Sequence, residues 1–273
     1  MIKLYFHLKS PMSHGYPALH IDTGNLRLFR KQHVVGVGDV PILSGNAIRG
    51  MLRRLVMRDF LLAAGMTPSA YDQSPGHWDR IYFALCNGGT LTGSQKSVDT
   101  KMLRELRVAC PPLSLLGSAL YTYMLPGMVS IFDAYPQVKE IEAAGFCGPS
   151  EAKLSDIYGD RHHVRLISHD VDREAAEATP MPYTHEVLYP GAILEGGLLF
   201  DNQTTTIERD CAAYGFGLIR QLGGNQAKGM GLVDIVTPQP LGDADRYRAW
   251  RDAHAAEARS LLEAAIPRQG VKT

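Results

Sequence analysis

"VPILSGNAIRGMLRRLVMRDFLLAAGM", residues Val40 to Met66, sets the reading of the whole chain. Ser44 is a good N-cap, because its hydroxyl oxygen can accept a backbone N–H from the first helical turn. Ile48, Met51, Leu52, Leu55 and Val56 then recur at helical spacing, and Gly65 closes the helix. Arg49, Arg53 and Arg54 stand off that apolar stripe and read as a solvated face. Upstream, "IKLYFHLKS" (Ile2–Ser10) alternates apolar and polar residues as a half-buried strand does, and Pro11 ends it. Pro11 to Gly38, rich in Gly, His and basic residues, reads as a long loop with a hairpin in "RLFRKQHVVGV". A loop that long usually carries function.

Downstream, helical pieces are expected near "HWDRIYFAL" and "TKMLRELRVA", and "MVSIFDAYP" (Met128–Pro136) reads as a strand. Lys139 to Thr184 is polar and irregular. "HEVLYPGAILEGGLLFDNQ" (His185–Gln203) reads as two strand pieces around a Pro-Gly turn. "TTIERDCAAYGFGLIRQL" (Thr205–Leu222) is helical with internal glycines. A glycine-rich loop, the strand "GLVDIVTP" and a polar amphipathic helix follow. With insertions removed the order is β-α-β-β-α-β, the ferredoxin-like split βαβ pattern, so the fold class is α+β. That sheet also serves as a scaffold for single-stranded RNA.

The 273 residues carry no net formal charge, mild evidence against a nucleic-acid binder. The charge is nevertheless segregated. Met1 to Phe60 holds nine Lys and Arg against three acids, and the acids gather later, at Glu174 to Glu177 and after Asp243. The N-terminal stretch is unlike a signal peptide, no apolar run spans a bilayer, and a cytoplasmic location is the expectation. The four cysteines, Cys86, Cys110, Cys147 and Cys211, form no CxxC pair and match no zinc pattern, so neither a metal nor a cofactor is expected.

The loop "QLGGNQAKGMGLVDI" (Gln221–Ile235) invites a phosphate, since glycine lets backbone N–H groups approach an anion. Walker A is excluded because Lys228 is followed by Gly229 rather than Ser or Thr. A Rossmann loop is excluded because this loop precedes a strand, whereas that one follows a strand and opens a helix.

Three ordered stretches together resemble the RAMP superfamily of CRISPR-associated proteins, specifically the subunit that forms the backbone of multi-subunit effector complexes. They are "VPILSGNAIRGMLRR", "CPPLSLLGSAL" (Cys110–Leu120), and "HEVLYPGAILEGGLLF" with its closing glycine-rich loop. Leu116 and Leu194 stand where that family usually carries Phe. The segment "LSLLGSALYTYMLPGMVSIFDAYPQ" and the missing nuclease hallmarks look most like the type IV version.

The resemblance implies a hand. The palm would comprise residues 1–66, 126–138 and 185–240, with largely helical fingers at 67–125, a hairpin-like thumb at 139–184 and a C-terminal helix at 241–273. Copies would stack head to tail along a guide RNA (crRNA) and present its bases to complementary target DNA or RNA, alongside other effector subunits and away from any membrane. Holding RNA of arbitrary sequence means gripping phosphate and sugar. The expected contacts are Ser44, Asn46, Arg49, Arg53 and Arg54 at the start of the helix. Arg27 and Arg30 in the first loop, and Gly224, Asn225, Gln226 and Lys228 in the glycine loop, complete the set. In the thumb, Met181 would be the apolar wedge that displaces one base at intervals. Arg161, His162, His163 and Arg165 would touch guide or target.

Type III relatives cut target RNA with an acid in the loop after the first strand. Asp22 lies in that loop here, but its flanks depart from the pattern, so the chain is read as non-catalytic. Two alternatives stand beside this reading: a ribonuclease using Asp22 or the histidine pair, and an unrelated ferredoxin-like domain whose glycine loop is structural.

Overall fold

The structure, a computed structural model, describes residues 1–15, 26–66, 77–91, 99–121, 123–164 and 182–266. The first elements are strands β1 (Ile2–Leu8), β2 (Leu26–Arg27), β3 (Lys31–Val34) and β4 (Gly38–Pro41), then helices α1 (Gly45–Ala63) and α2 (His77–Asn87). Strand β5 (Gly89–Leu91), helices α3 (Thr100–Ala109) and α4 (Pro111–Leu116), and strands β6 (Ser118–Tyr121), β7 (Tyr123–Leu125), β8 (Val129–Ile131) and β9 (Tyr135–Pro136) follow. Next come α5 (Lys139–Ala143), α6 (Leu154–Ile157), β10 (Tyr158–Val164), β11 (Pro182–Leu188) and β12 (Ile193–Phe200). Helix α7 (Thr206–Leu218), β13 (Val233–Val236) and α8 (Ala244–Ala265) are the last. The architecture is mixed α+β with mainly antiparallel pairing, as the pattern of the sequence implied.

The principal sheet runs β13-β1-β12-β8, with β9 also paired to β12. Neighbours along that path are antiparallel. Alternation builds it. Leu4, Phe6 and Leu8 are buried, and the register sets Phe6 opposite Leu194 and Ile2 opposite Leu198, so the apolar side chains of both strands share one face. On that face α1 contributes Ile48, Leu52 and Val56 to the core. Helix α7 reaches α1 at Gly215, where a β-carbon would stand 2.5 Å from Leu52 Cδ1, which explains one of its internal glycines. Helix α8 packs on α7, α3 and α1 and buries Tyr247, Ala258 and Leu262. Among the described residues no helix is long and apolar enough to cross a membrane.

Three expectations change. The stretch read as irregular from Lys139 contains α5, α6 and β10, and β10 pairs along its whole length with β11. Strands β11 and β12 do flank Pro190-Gly191, but they belong to different sheets. The polar pattern of β10 hid it, because a strand lying outside the main core needs no apolar alternation. Finally, Arg49 and Arg53 do not lie on a solvated face. Arg53 is 9% exposed and Arg49 is half-buried. The cysteines are free, with Cys86, Cys110 and Cys211 buried, and burial pushes the Cys86 thiol up to about 11 and that of Cys110 to about 12.

Candidate nucleic-acid interface

The segment after β1, Pro11 to Gly15, is a seam joining three elements far apart in the chain: His14 meets Ser44, 30 positions further along, and Ser13 meets Asn225, 212 positions further along. Met12 pairs with Leu188 at the end of β11, through reciprocal backbone hydrogen bonds of 2.9 Å. The Ser13 carbonyl accepts the Gly224 N–H at 2.7 Å, and its hydroxyl accepts from Asn225 Nδ2 at 3.1 Å. The Pro11 carbonyl accepts the Gly231 N–H at 2.8 Å. His14 Nε2 lies 3.1 Å from Ser44 Oγ and accepts the Ser44 N–H at 3.3 Å. The end of the β10–β11 hairpin, the glycine loop and the start of α1 therefore meet along five residues.

His14 is neutral here by two routes. Its Nε2 is an acceptor from the Ser44 amide, and burial, helped by the nearby Arg30 charge, pushes its pKa down to about 4. A neutral imidazole suits a part-buried post between a loop and a helix cap, where a cation would need a counter-charge.

The start of α1 is already satisfied. Ser44 caps it as expected, its hydroxyl accepting the Ala47 N–H at 3.3 Å. The Gly45 N–H donates to Asp133 Oδ1 at 2.7 Å. Gly45 is required because a β-carbon there would stand 2.3 Å from the Ile131 carbonyl oxygen. The position that the dipole offers to a phosphate is thus occupied by a carboxylate of the chain itself. Ser44 is 3% exposed. Its hydroxyl serves the helix cap, while Asn46 beside it is exposed.

The arginines of α1 divide in the same way. Arg53 donates to the carbonyls of Gly117 at 2.6 Å, Leu116 at 2.7 Å and Leu85 at 3.5 Å. Arg49 donates to Leu116 at 2.5 Å and Val129 at 3.3 Å. Burial lowers the pKa of both, to about 10 for Arg53, where the Arg49 charge adds to the effect. Their donors serve the chain's own carbonyls. Arg54 is exposed.

The glycine loop is folded onto itself rather than opened to an anion. Gly223 (φ +83°) and Gly231 (φ +78°) are where the chain crosses its neighbours: a β-carbon would stand 2.3 Å from the Ser13 carbonyl oxygen and 1.9 Å from that of Leu222, respectively. Asn225 is left-handed at φ 56°, and Gln226 Nε2 donates back to the Gly223 carbonyl at 3.2 Å. The Gly224 N–H, proposed for phosphate, is spent on Ser13. The turn Gln226–Lys228 that remains raises an exposed Lys228.

On the other side of the seam, β2 pairs with β11 so that Arg27 stands beside His185, and Arg27 is exposed. Arg30 is half-exposed and is tied through its backbone to His14, at 2.6 Å. Glu186 holds this edge by accepting the Phe29 N–H at 2.7 Å and Lys31 Nζ at 2.9 Å. On β10, Arg161 is half-buried and His162 is exposed, the latter 2.9 Å from Thr184 Oγ1 through its Nδ1. His163 lies on the same strand. Asp22, Arg165 and Met181 lie outside the described residues.

The seam residues Ser13 and His14, and Asp133 at the start of α1, were not singled out from sequence. Each is one short polar residue in a loop, and only its partner, far away in the chain, makes it notable.

No family model matches the chain, and no curated protein matches it. Among solved structures it is similar to a chain of one described as a Type IV-B CRISPR complex. The match has a TM-score of 0.57 at 17% sequence identity and covers 86% of this chain and 89% of that one. The likeness is one of fold.

Proposed function

We propose that this chain is the RNA-binding backbone subunit of a CRISPR ribonucleoprotein surveillance complex, of the RAMP superfamily and the type IV kind. It polymerises along guide RNA through sequence-independent phosphate contacts and presents the bases for pairing with target DNA or RNA. The observation that carries this is the seam. The β10–β11 hairpin, the glycine loop and the start of α1, each picked out for RNA contact, converge on Pro11–Gly15, with Lys228 at the surface of the loop and Arg27 and Arg30 on the segment that leads into β3. The strand order supports it: numbering only the sheet strands β1, β8, β12 and β13 in chain order, the path is 4-1-3-2, the order that a ferredoxin-like palm would have, and α1 packs against α7. The fold likeness to a chain of a Type IV-B CRISPR complex supports it too.

The grip we propose is narrower than the sequence suggested. Arg27, Arg30, Asn46, Arg54, Gln226 and Lys228 carry it, and Arg161 and His162 extend it onto the hairpin. None of these reads a base, as an arbitrary guide requires. We assign no catalytic step to the chain.

The test is purification without nuclease, followed by the 260/280 nm absorbance ratio and sizing of any extracted nucleic acid. Bound RNA in a regular ladder of lengths is expected. Protein that stays free of nucleic acid, even when guide RNA and partner subunits are co-expressed, sinks the proposal.

A further inference from the structure

Helix α1 contains a glycine that its own packing does not call for. At Gly45 and at Gly215 an added β-carbon would stand 2.3 and 2.5 Å from a neighbouring atom, so the fold needs both. Gly50 differs. It lies inside a 19-residue helix, and among the described residues the only atom within 4 Å of an added β-carbon is Nη1 of Arg54, at 3.9 Å. That is ordinary contact with the end of a flexible side chain. Glycine is the poorest helix former after proline, so the chain loses helix stability here and gains no packing in return. Gly217 of α7 is equally open, but it stands one residue from the end of its helix.

Around Gly50 the surface is first small and then basic. Asn46, Gly50, Arg54 and Arg58 follow one another four residues apart, which makes them one ridge inclined at about 26° to the helix axis. Asn46, Arg54 and Arg58 are exposed, and the ridge runs about 18 Å along the axis from the first to the last. Ala47, three residues before Gly50, is a second small side chain beside it. The ridge therefore has a notch between Asn46 and Arg54, with helix backbone as its floor. It begins two residues from Ser44, at the seam.

The charge on the ridge is uncompensated. Among the described residues neither Arg54 nor Arg58 pairs with a carboxylate, and Arg54 reaches only Met51 Sδ, at 4.0 Å. The positions three and four away from each hold Gly, Met, Leu or the other arginine. Asp59, the one acid of α1, is paired with Arg251 of α8. Like charges at i and i+4 disfavour a helix, a cost that a bound polyanion removes.

We infer that α1 carries a track for the phosphodiester backbone of single-stranded RNA along this ridge. The sugar–phosphate chain lies flat in the Gly50 notch, and Arg54 and Arg58 neutralise the phosphates beyond it. The contacts are to backbone atoms, so the track reads no base. It rests on the RNA reading above and extends it by two residues, Gly50 and Arg58, that lie outside the grip named there.

The experiment is fluorescence anisotropy on the full chain with a long, labelled, random-sequence single-stranded RNA at several salt concentrations. The melting temperature of every variant is measured alongside. Gly50→Ala is expected to melt about 2 °C above wild type, through helix propensity alone, yet to bind no more tightly. Gly50→Leu fills the notch and is expected to raise Kd at least about tenfold without a lower melting temperature. Arg58→Ala is expected to lower the slope of log K against log salt by about 0.7. Arg104→Ala, which removes an exposed arginine of α3, is expected to leave that slope unchanged. A folded Gly50→Leu variant that binds like wild type overturns the track, and so does an unchanged slope for Arg58→Ala. An equal fall in slope for Arg104→Ala also overturns it, because the effect is then one of diffuse charge. Should Gly50→Leu melt lower than wild type, the Arg58→Ala and Arg104→Ala pair decides. If the ridge variants bind like wild type while Lys228→Ala and Arg27→Ala lose affinity, the RNA reading stands and the track falls. A wild type that binds no RNA, with or without partner subunits, overturns both.

Discussion

Arg49 and Arg53, one turn apart on α1, donate to the same acceptor, the Leu116 carbonyl, at 2.5 and 2.7 Å. Two like charges so close repel, and desolvation adds to the cost. The arrangement holds because each guanidinium carries five donors in a planar fork and can serve several carbonyls at once. It fastens α4 and the following turn to α1. The arginines of one motif stretch thus lock onto the Leu-Gly-Ser stretch of another.

Arg53→Met should therefore act on stability. It keeps most of the side-chain volume but strips donors from the Leu116 and Gly117 carbonyls, a loss of about 3 kcal/mol. In a chain of this size that is a fall of roughly 5 °C in melting temperature. Arg53→Lys should recover little, since one ammonium cannot span the acceptors. Calorimetry checks the stability loss, and RNA affinity per folded molecule should stay unchanged.

The accessible cations should show themselves in salt dependence. Removing one phosphate contact lowers the slope of log K against log salt by about 0.7 for a single strand. Lys228→Ala, Arg27→Ala and Arg30→Ala are each expected to do so with random-sequence RNA, and Arg49→Met is not. Fluorescence anisotropy titrations at several salt concentrations decide it; a uniform slope across all four variants counts against the assignment.

Two glycines of one loop should respond differently to alanine. At Gly229 (φ +74°) nothing lies within 4 Å of an added β-carbon, so only backbone strain of about 1 kcal/mol is expected. At Gly231 the β-carbon would meet the Leu222 carbonyl oxygen at 1.9 Å, and the strand start must move, at about 3 kcal/mol or more. Denaturant melts of the two variants give the contrast directly.

His14 should make stability depend on acid. Its folded pKa, about 4, lies below the ordinary histidine value near 6.5, so between those limits the unfolded chain binds the extra proton. Stability then falls as pH drops from about 6.5 toward 4, by up to roughly 1.4 kcal/mol per pH unit for this one group. Glu186 and Glu195, both held below the usual carboxylate value although their burial works against it, lose their contribution only at lower pH. Their donors are Lys31 and the Phe29 amide for Glu186, and Lys3 and the Gly148 amide for Glu195. Denaturant melts at pH 7 and pH 5 should differ for wild type and much less for His14→Gln.

The elements most legible in the sequence were those whose signals are local. The cap at Ser44, the apolar stripe of α1, the alternation of β1 and the Pro-Gly turn at Gly191 each depend on residues a few positions apart, and periodicity reports them. The hairpin within Arg27–Val37 was legible for the same reason, shifted to Lys31–Pro41. Strand β10 was not, because its polar faces leave no periodic mark.

What tertiary structure decided is which polar side chain spends its donors at home. On sequence alone Arg49, Arg53 and Arg54 are equivalent basic residues of one helix. Burial against the α4 turn makes two of them internal clamps and leaves the third outside. Likewise Gly45 looks like part of an anion-binding helix start until Asp133, from a loop after β8, takes its N–H. Hydrogen-bond partners separated by 63, 88 or 212 residues have no signature in local spacing, and in a folded chain a buried donor takes the nearest acceptor the packing supplies. Charge and pattern along the chain identify residues able to grip a phosphate; only the packed structure determines which of them stand at the surface.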